Sequence, residues 1–234
     1  LCQKIKEMKK VIILFSVIIC SLHLSIAQHY ENGITSGEAT FDILYFENIP
    51  FVYEKNGQMS GIEVDILNYF KDWLKKNKSI SLTFNFKKQE DFNLLIDGVK
   101  NSKDGTIAIG AISTTDERRK KVIFTAPYMK NVSVLVTSGS IETMRTNEDL
   151  KNILPTIQPY TVQGSSHEEY LLELYTRADL DLKMEYVKHP LDVLTQIKES
   201  PRNFGYVDVI TFWSYLQSSK EYLKINRIGN VADE

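Results

Sequence analysis

The chain has 234 residues, 43% hydrophobic and 25% charged, with a formal net charge of −2. Those values are ordinary for a globular protein of one or two domains. They give no reason to expect a nucleic-acid partner, since no basic stripe interleaved with aromatics appears.

The first 27 residues differ from the rest. Lys4, Lys6, Lys9 and Lys10 precede an apolar run from Val11 to Cys20, and Ser25-Ile26-Ala27 offers small residues where a signal peptidase reads. Residues 1–27 are therefore expected to be a secretory signal peptide, cleaved between Ala27 and Gln28, with Met8 as the start. An uncleaved membrane anchor is the rival, although Val11 to Ala27 is at the lower edge of spanning length and contains His23. A lipoprotein would use Cys20, but the bulky Ile19 stands where a small residue is wanted. Cleavage removes four of the 28 basic and one of the 30 acidic residues, so −2 becomes −5. It also removes Cys2 and Cys20, leaving no cysteine for a disulfide in an oxidising compartment. A periplasmic or secreted location follows.

In chain order, Phe41 to Phe46 reads as a strand, Glu47 to Tyr53 as a loop and Lys55-Asn56-Gly57-Gln58 as a tight turn. Gly61 to Asp65 opens a helix whose Leu67, Phe70, Trp73 and Leu74 are expected to share a buried face. Asp65 there is a first-turn charge favourable to the macrodipole. Ser81 to Phe86 reads as a second strand, and Asp91 to Asn101 as an amphipathic helix on Phe92, Leu95, Ile96 and Val99. Thr106 to Ala111 is a buried strand. At its carboxyl end Ser113 and Arg118 stand five residues apart, the latter in one helical turn. A guanidinium fork can hold both oxygens of a carboxylate, and a hydroxyl adds a third donor. Open α/β sheets place ligands at such strand ends. Asp116 and Glu117, beside Arg119, Lys120 and Lys121, read as a solvated helical face.

A crossover into a second lobe is placed near Met129 to Asn131. Val132 to Val136 is a strand broken at Thr137 to Ser140, and Asn147 starts a helix. Thr161 to Tyr170 is a strand, a glycine turn and a helix start, where Ser165 with Glu168 and Ser166 with Glu169 can each form a capping box. A helix tip of this kind still presents amides to an anion. His167 is expected to be exposed in the first turn and is given no chemistry. Leu171, Leu174 and Tyr175 carry that helix's buried face. Leu182 to Val187 is a strand, Leu191 to Glu199 a helix, and Phe204 to Asp208 a strand ending in an acid. Asp208 can cap the following helix through Phe212, Trp213 and Tyr215. Leu223 to Ile228 is the last strand.

The stretch from Thr115 and Arg118 to Phe124-Thr125-Ala126-Pro127-Tyr128 resembles the Thr-x-x-Arg…Phe-x-x-Pro-Tyr segment of bacterial extracellular solute-binding proteins of family 3. Other blocks follow in family order. Pro50-Phe51 is similar to Pro-Pro-Phe, Gly61-Ile62-Glu63-Val64-Asp65 to Gly-Phe-Asp-Val-Asp, and Asn147-Glu148-Asp149-Leu150 to Leu-Glu-Asp-Leu. Thr161 to Ser166 resembles the block Val-Gly-Val-Gln-x-Gly-Thr-Thr. The family comprises periplasmic polar amino-acid receptors of ABC transporters and shares its fold with the ligand-binding core of ionotropic glutamate receptors.

The resemblance implies an α/β, periplasmic-binding-protein-like fold of two α/β lobes with a ligand cleft and hinge. Lobe 1 would span residues 28–128, lobe 2 residues 129–228, and a second crossover 229–234, with the C-terminal part of lobe 1 missing. It implies that Ser113, Arg118 and Ser165 hold a carboxylate and that Asp208 binds an ammonium, against its reading as a helix cap. Phe92 falls where an aromatic covers the ligand side chain, or else packs into the core. Asn48 replaces a second aromatic, which counts against an aromatic sandwich around a cationic side chain. Phe51 and Gly61 are read as core and close-approach features. The implied function is capture of a polar amino acid for an ABC permease by a monomer. Alternatives on the same fold are an input or regulatory module of a sensor kinase or lytic transglycosylase, and a cyclohexadienyl or arogenate dehydratase. No His-Glu-x-x-His, cysteine cluster, P-loop or Gly-x-Ser-x-Gly occurs, so no metal, cofactor or catalytic residue is expected.

Overall fold

The computed structural model of the chain describes residues 35–227 except 103, 104, 131, 182 and 221. The expected signal peptide and second crossover lie outside those residues.

Lobe 1 is built on a parallel sheet of order β4-β1-β5, with β1 (Glu38–Tyr45) between β4 (Ser81–Lys88) and β5 (Thr106–Ile109). β1 begins three residues before the expected Phe41, because Glu38 to Thr40 pair with Ser81 to Thr83. The turn at Asn56-Gly57 joins a small hairpin of β2 (Tyr53–Lys55) and β3 (Gln58–Ser60). Gly61 leads into α1 (Ile62–Lys78) at φ 122°, and a Cβ there would stand 2.3 Å from the Phe51 carbonyl oxygen, so the turn requires glycine. α1 lays Val64 and Leu67 on Ile43 and Tyr45, and Leu74 on Leu82. Phe70 and Trp73, expected on that face, are 38% and 46% exposed. They lie with Ile66 and Tyr69 on an apolar stripe adjacent to the one that meets the sheet, and the sequence does not say which stripe wins. α2 (Asn93–Lys100) packs Leu95 and Ile96 inward, and α3 (Asp116–Arg119) is a single turn after β5.

Lobe 2 has a five-stranded sheet of order β10-β6-β9-β7-β8. Its strands are β6 (Ser133–Ser138), β7 (Gln158–Val162), β8 (Glu185–Val187), β9 (Asn203–Asp208) and β10 (Leu223–Asn226). β6 runs antiparallel to β9 and β10, whereas β7 is parallel to β8 and β9. β6 continues through Thr137 and Ser138, where a break was expected. Thr137 is fully buried and its hydroxyl accepts from Asn226 Nδ2 at 2.9 Å, so a polar residue is satisfied inside the sheet. α4 (Asn147–Ile153) starts on a capping box between Thr146 and Asp149. It packs with α5 (Ser166–Ala178) on one sheet face through Leu150, Leu171, Leu174 and Phe204. α6 (Pro190–Glu199) and α7 (Val209–Ser218) cover the other through Val136, Val193, Val207 and Phe212. The carboxyl ends of β1, β5, β7 and β9 all open on the space between the lobes.

Candidate functional site

On the lobe 1 side, β5 gives way to Gly110 and Ala111, and Ala111 is held at φ 56°. Its amide donates to both carboxylate oxygens of Glu63, at 3.2 and 3.1 Å, and the Tyr128 hydroxyl donates to Glu63 Oε1 at 3.1 Å. Glu63 is 6% exposed, and burial pushes its carboxyl above the ordinary glutamate value while the amide and hydroxyl pull it back. Burial likewise raises the Tyr128 phenol, next to that carboxylate. Sequence reading gave Glu63 no role beyond its block.

Thr115 caps α3 by accepting from the Arg118 amide at 3.3 Å, which orients the arginine out of the turn. Arg118 is 8% exposed and its guanidinium lies 5.3 Å from the centre of the Phe92 ring. One terminal nitrogen donates to the Ser113 carbonyl at 2.8 Å, the other across the cleft to the Gly164 carbonyl at 3.0 Å. Desolvation lowers its pKa, and it makes no ion pair among the described residues. Phe92 packs edge-on against Phe46 at 5.5 Å, so it is both core and cleft wall.

On the lobe 2 side, Ser165 caps α5. Its hydroxyl donates to the Val162 carbonyl at 2.7 Å and accepts from the Glu168 amide at 3.3 Å. Glu168 reaches back to the Gly164 amide at 2.5 Å, one residue earlier than a standard box. Ser165 lines the cleft with its hydroxyl already engaged; the hydroxyl that crosses is that of Ser166, 3.2 Å from Ser113 Oγ. His167, expected exposed, is 6% exposed. It lies at i of the row completed by Leu171, Leu174 and Tyr175, so the helical period carried the signal. Its Nε2 is 3.1 Å from Ser133 Oγ and 3.4 Å from Asp208 Oδ1. Both partners approach the same ring nitrogen, so the three do not form a nucleophilic triad, in which acid and hydroxyl take opposite nitrogens.

Asp208 is 3% exposed and holds the N-cap position of α7, yet its side chain makes no capping hydrogen bond. Its Oδ1 is buried without a hydrogen-bond partner. Asn48 is 5% exposed; its Nδ2 donates to the Gly110 carbonyl at 3.4 Å and its Oδ1 is likewise unpartnered. All six sequence-predicted residues, Asn48, Phe92, Ser113, Arg118, Ser165 and Asp208, thus line one cleft, together with Ser166 and His167. The lobes also meet through His189 Nδ1 and the Glu47 carbonyl at 3.0 Å, and through Thr211 Oγ1 donating to the Ile49 carbonyl at 3.3 Å. At the rim Lys188 pairs with Glu90 at 2.5 Å.

Among the described residues no group of three or more His, Cys, Asp or Glu is placed to hold a metal ion, and no helix is long and apolar enough to cross a membrane. Two α/β lobes meeting at sheet ends, with a cation and an acid in one cleft, make a periplasmic-binding-protein-like architecture. Residues 45–198 match the model of the bacterial extracellular solute-binding proteins, family 3, and the chain belongs to that family.

Among curated proteins it is similar to a probable amino-acid-binding protein, YxeM, of Bacillus subtilis, at 25% identity over 169 residues. That match covers 70% of this chain and 58% of that protein. A probable histidine-binding protein of Campylobacter jejuni is 23% identical over 157 residues, covering 66% and 58%. The chain therefore spans somewhat more than half the length of these relatives. A substrate-binding protein of an ABC uptake transporter from Streptococcus pneumoniae, solved with bound histidine, shares the fold. Its TM-score is 0.66 at 19% identity, covering 86% of this chain and 79% of that one.

Proposed function

We propose that this protein is an extracytoplasmic receptor that captures a polar amino acid for ABC-type import. The observation that carries the reading is a pair of buried, opposite charges in one cleft, neither satisfied by the other. Arg118 has no carboxylate partner among the described residues, and the buried Oδ1 of Asp208 makes no hydrogen bond, with the His167 ring nitrogen 3.4 Å away. Burying either charge unpaired is costly, whereas a zwitterion supplies a carboxylate to one and an ammonium to the other. Ser113, Ser166 and the tip of α5 stand beside Arg118 as further donors. Family membership and curated relatives with amino-acid-binding names support the same class. The permease partner follows from the family's habit, and the role is binding, not turnover.

Calorimetric titration of the purified protein with the proteinogenic L-amino acids tests this, followed by Asp208→Asn against the tightest binder and its des-amino analogue. The variant is expected to lose several kcal/mol for the amino acid and far less for the analogue, which carries no ammonium. Equal losses for both ligands would reduce Asp208 to a structural acid.

A further inference from the structure

The zwitterion leaves one buried acceptor in the cleft unaccounted for. Asn48 Nδ2 donates to the Gly110 carbonyl, which fixes the way the amide faces, and Oδ1 is left buried with no hydrogen-bond partner. An unpaired buried amide oxygen is uncommon, because its desolvation goes uncompensated.

The surroundings restrict what can meet it. Among the described residues, the carboxylate and guanidinium lining the cleft are those of Asp208 and Arg118, which the zwitterion's own head group would occupy. A cationic side chain therefore finds no second acid. It finds no free aromatic face either, since Arg118 covers Phe92 and the Phe46 ring packs against Phe92 and His189. An acidic side chain would set its oxygens against Asn48 Oδ1 and the Asp208 carboxylate. An apolar one would seal Oδ1 in without a donor.

Resting on the amino-acid reading above, we propose that Asn48 is a specificity residue and that the ligand is a neutral polar amino acid. Its side chain, a carboxamide or a hydroxyl, donates one hydrogen bond to Asn48 Oδ1.

The test is calorimetric titration with serine, threonine, asparagine and glutamine, their near-isosteres alanine, valine, aspartate, glutamate, leucine and methionine, and arginine. The tightest ligand is expected among the first four, at least about tenfold ahead of its acidic and apolar counterparts. Asn48→Leu should erase that gap, weakening the donor ligand about tenfold while leaving the apolar counterpart unchanged. Asn48→Asp, which keeps the side chain's size and adds a charge, should instead raise arginine affinity about tenfold. Arginine as the tightest ligand of the wild type overturns the proposal, as does a gap that survives in Asn48→Leu. So does an equal loss for every amino acid, which would place Asn48 on the α-ammonium. Those results leave the amino-acid reading standing; binding of no amino acid at all overturns that reading and this inference with it.

Discussion

Arg118 shows what a short motif can and cannot say. Its spacing from Ser113 and the cap that Thr115 supplies to its amide are local features, so the sequence around it could nominate it. Its bond to the Gly164 carbonyl comes from the other lobe and has no local trace. The planar fork holds a carbonyl from each lobe while facing the cleft, which a lysine ammonium cannot reproduce. Arg118→Lys is expected to weaken amino-acid binding by at least about 2 kcal/mol with the thermal transition largely retained. Unchanged affinity would remove Arg118 as the carboxylate clamp. Glu63 makes a different prediction. Its carboxyl is raised above the ordinary 4.5 by burial, so the folded state binds that proton more tightly than the unfolded chain. The contribution favours the fold at low pH and is lost as pH rises from 4.5 through the raised value. Glu63→Gln cannot ionise, so its stability relative to wild type should improve on going from pH 4 to pH 7. Denaturant titrations giving a constant difference across that range would count against the buried, raised carboxyl.

At the scale of elements, most strands and helices were legible because each carries its own period, and the misreadings have identifiable causes. α1 offers two neighbouring apolar stripes, and only docking on β1 selects Val64, Leu67 and Leu74 over Phe70 and Trp73. The expected break after Val136 ignored Asn226, distant in sequence, which satisfies Thr137 inside the sheet. α5 was placed correctly, but two adjacent serines at the start of the same helix cannot be told apart by pattern. The structure makes Ser165 the cap and turns Ser166 across the cleft. The two should therefore separate on mutation. Ser165→Ala is expected to cost about 1 kcal/mol of stability through the lost cap. Ser166→Ala should leave stability nearly unchanged and weaken ligand binding. Equal stability losses in chemical denaturation would show that both hydroxyls serve the helix.

Among the described residues the two larger sheets face each other at their strand ends, and few polar contacts cross the cleft between them. Ser113 with Ser166, Arg118 with Gly164, His189 with Glu47 and Thr211 with Ile49 bridge the lobes, and the Lys188–Glu90 pair at the rim is solvent-exposed. A hydrogen bond contributes a net of about 1 kcal/mol, and an exposed ion pair contributes little. An apolar contact also crosses the seam, where Val162 packs with Phe46 and Phe92. Against these stands the cost of enclosing Arg118 without a carboxylate and Asp208 with only the His167 ring nitrogen, 3.4 Å away, near it. The closed arrangement is then finely balanced without ligand, and a zwitterion that satisfies both charges shifts the balance by its differential affinity for the closed state. Ser166 is the place to test this, being buried at the seam with its hydroxyl 3.2 Å from that of Ser113. Ser166→Phe puts a ring where two hydroxyls now meet, on a helix turn whose cap and inward face are untouched. It should hold the lobes apart, lowering affinity for the tightest amino acid by about two orders of magnitude, or about 3 kcal/mol. Small-angle scattering at saturating ligand should then give a larger radius of gyration for the variant than for the wild type, with similar thermal stability. Coincident scattering curves with undiminished affinity would mean that the lobes do not close through this seam.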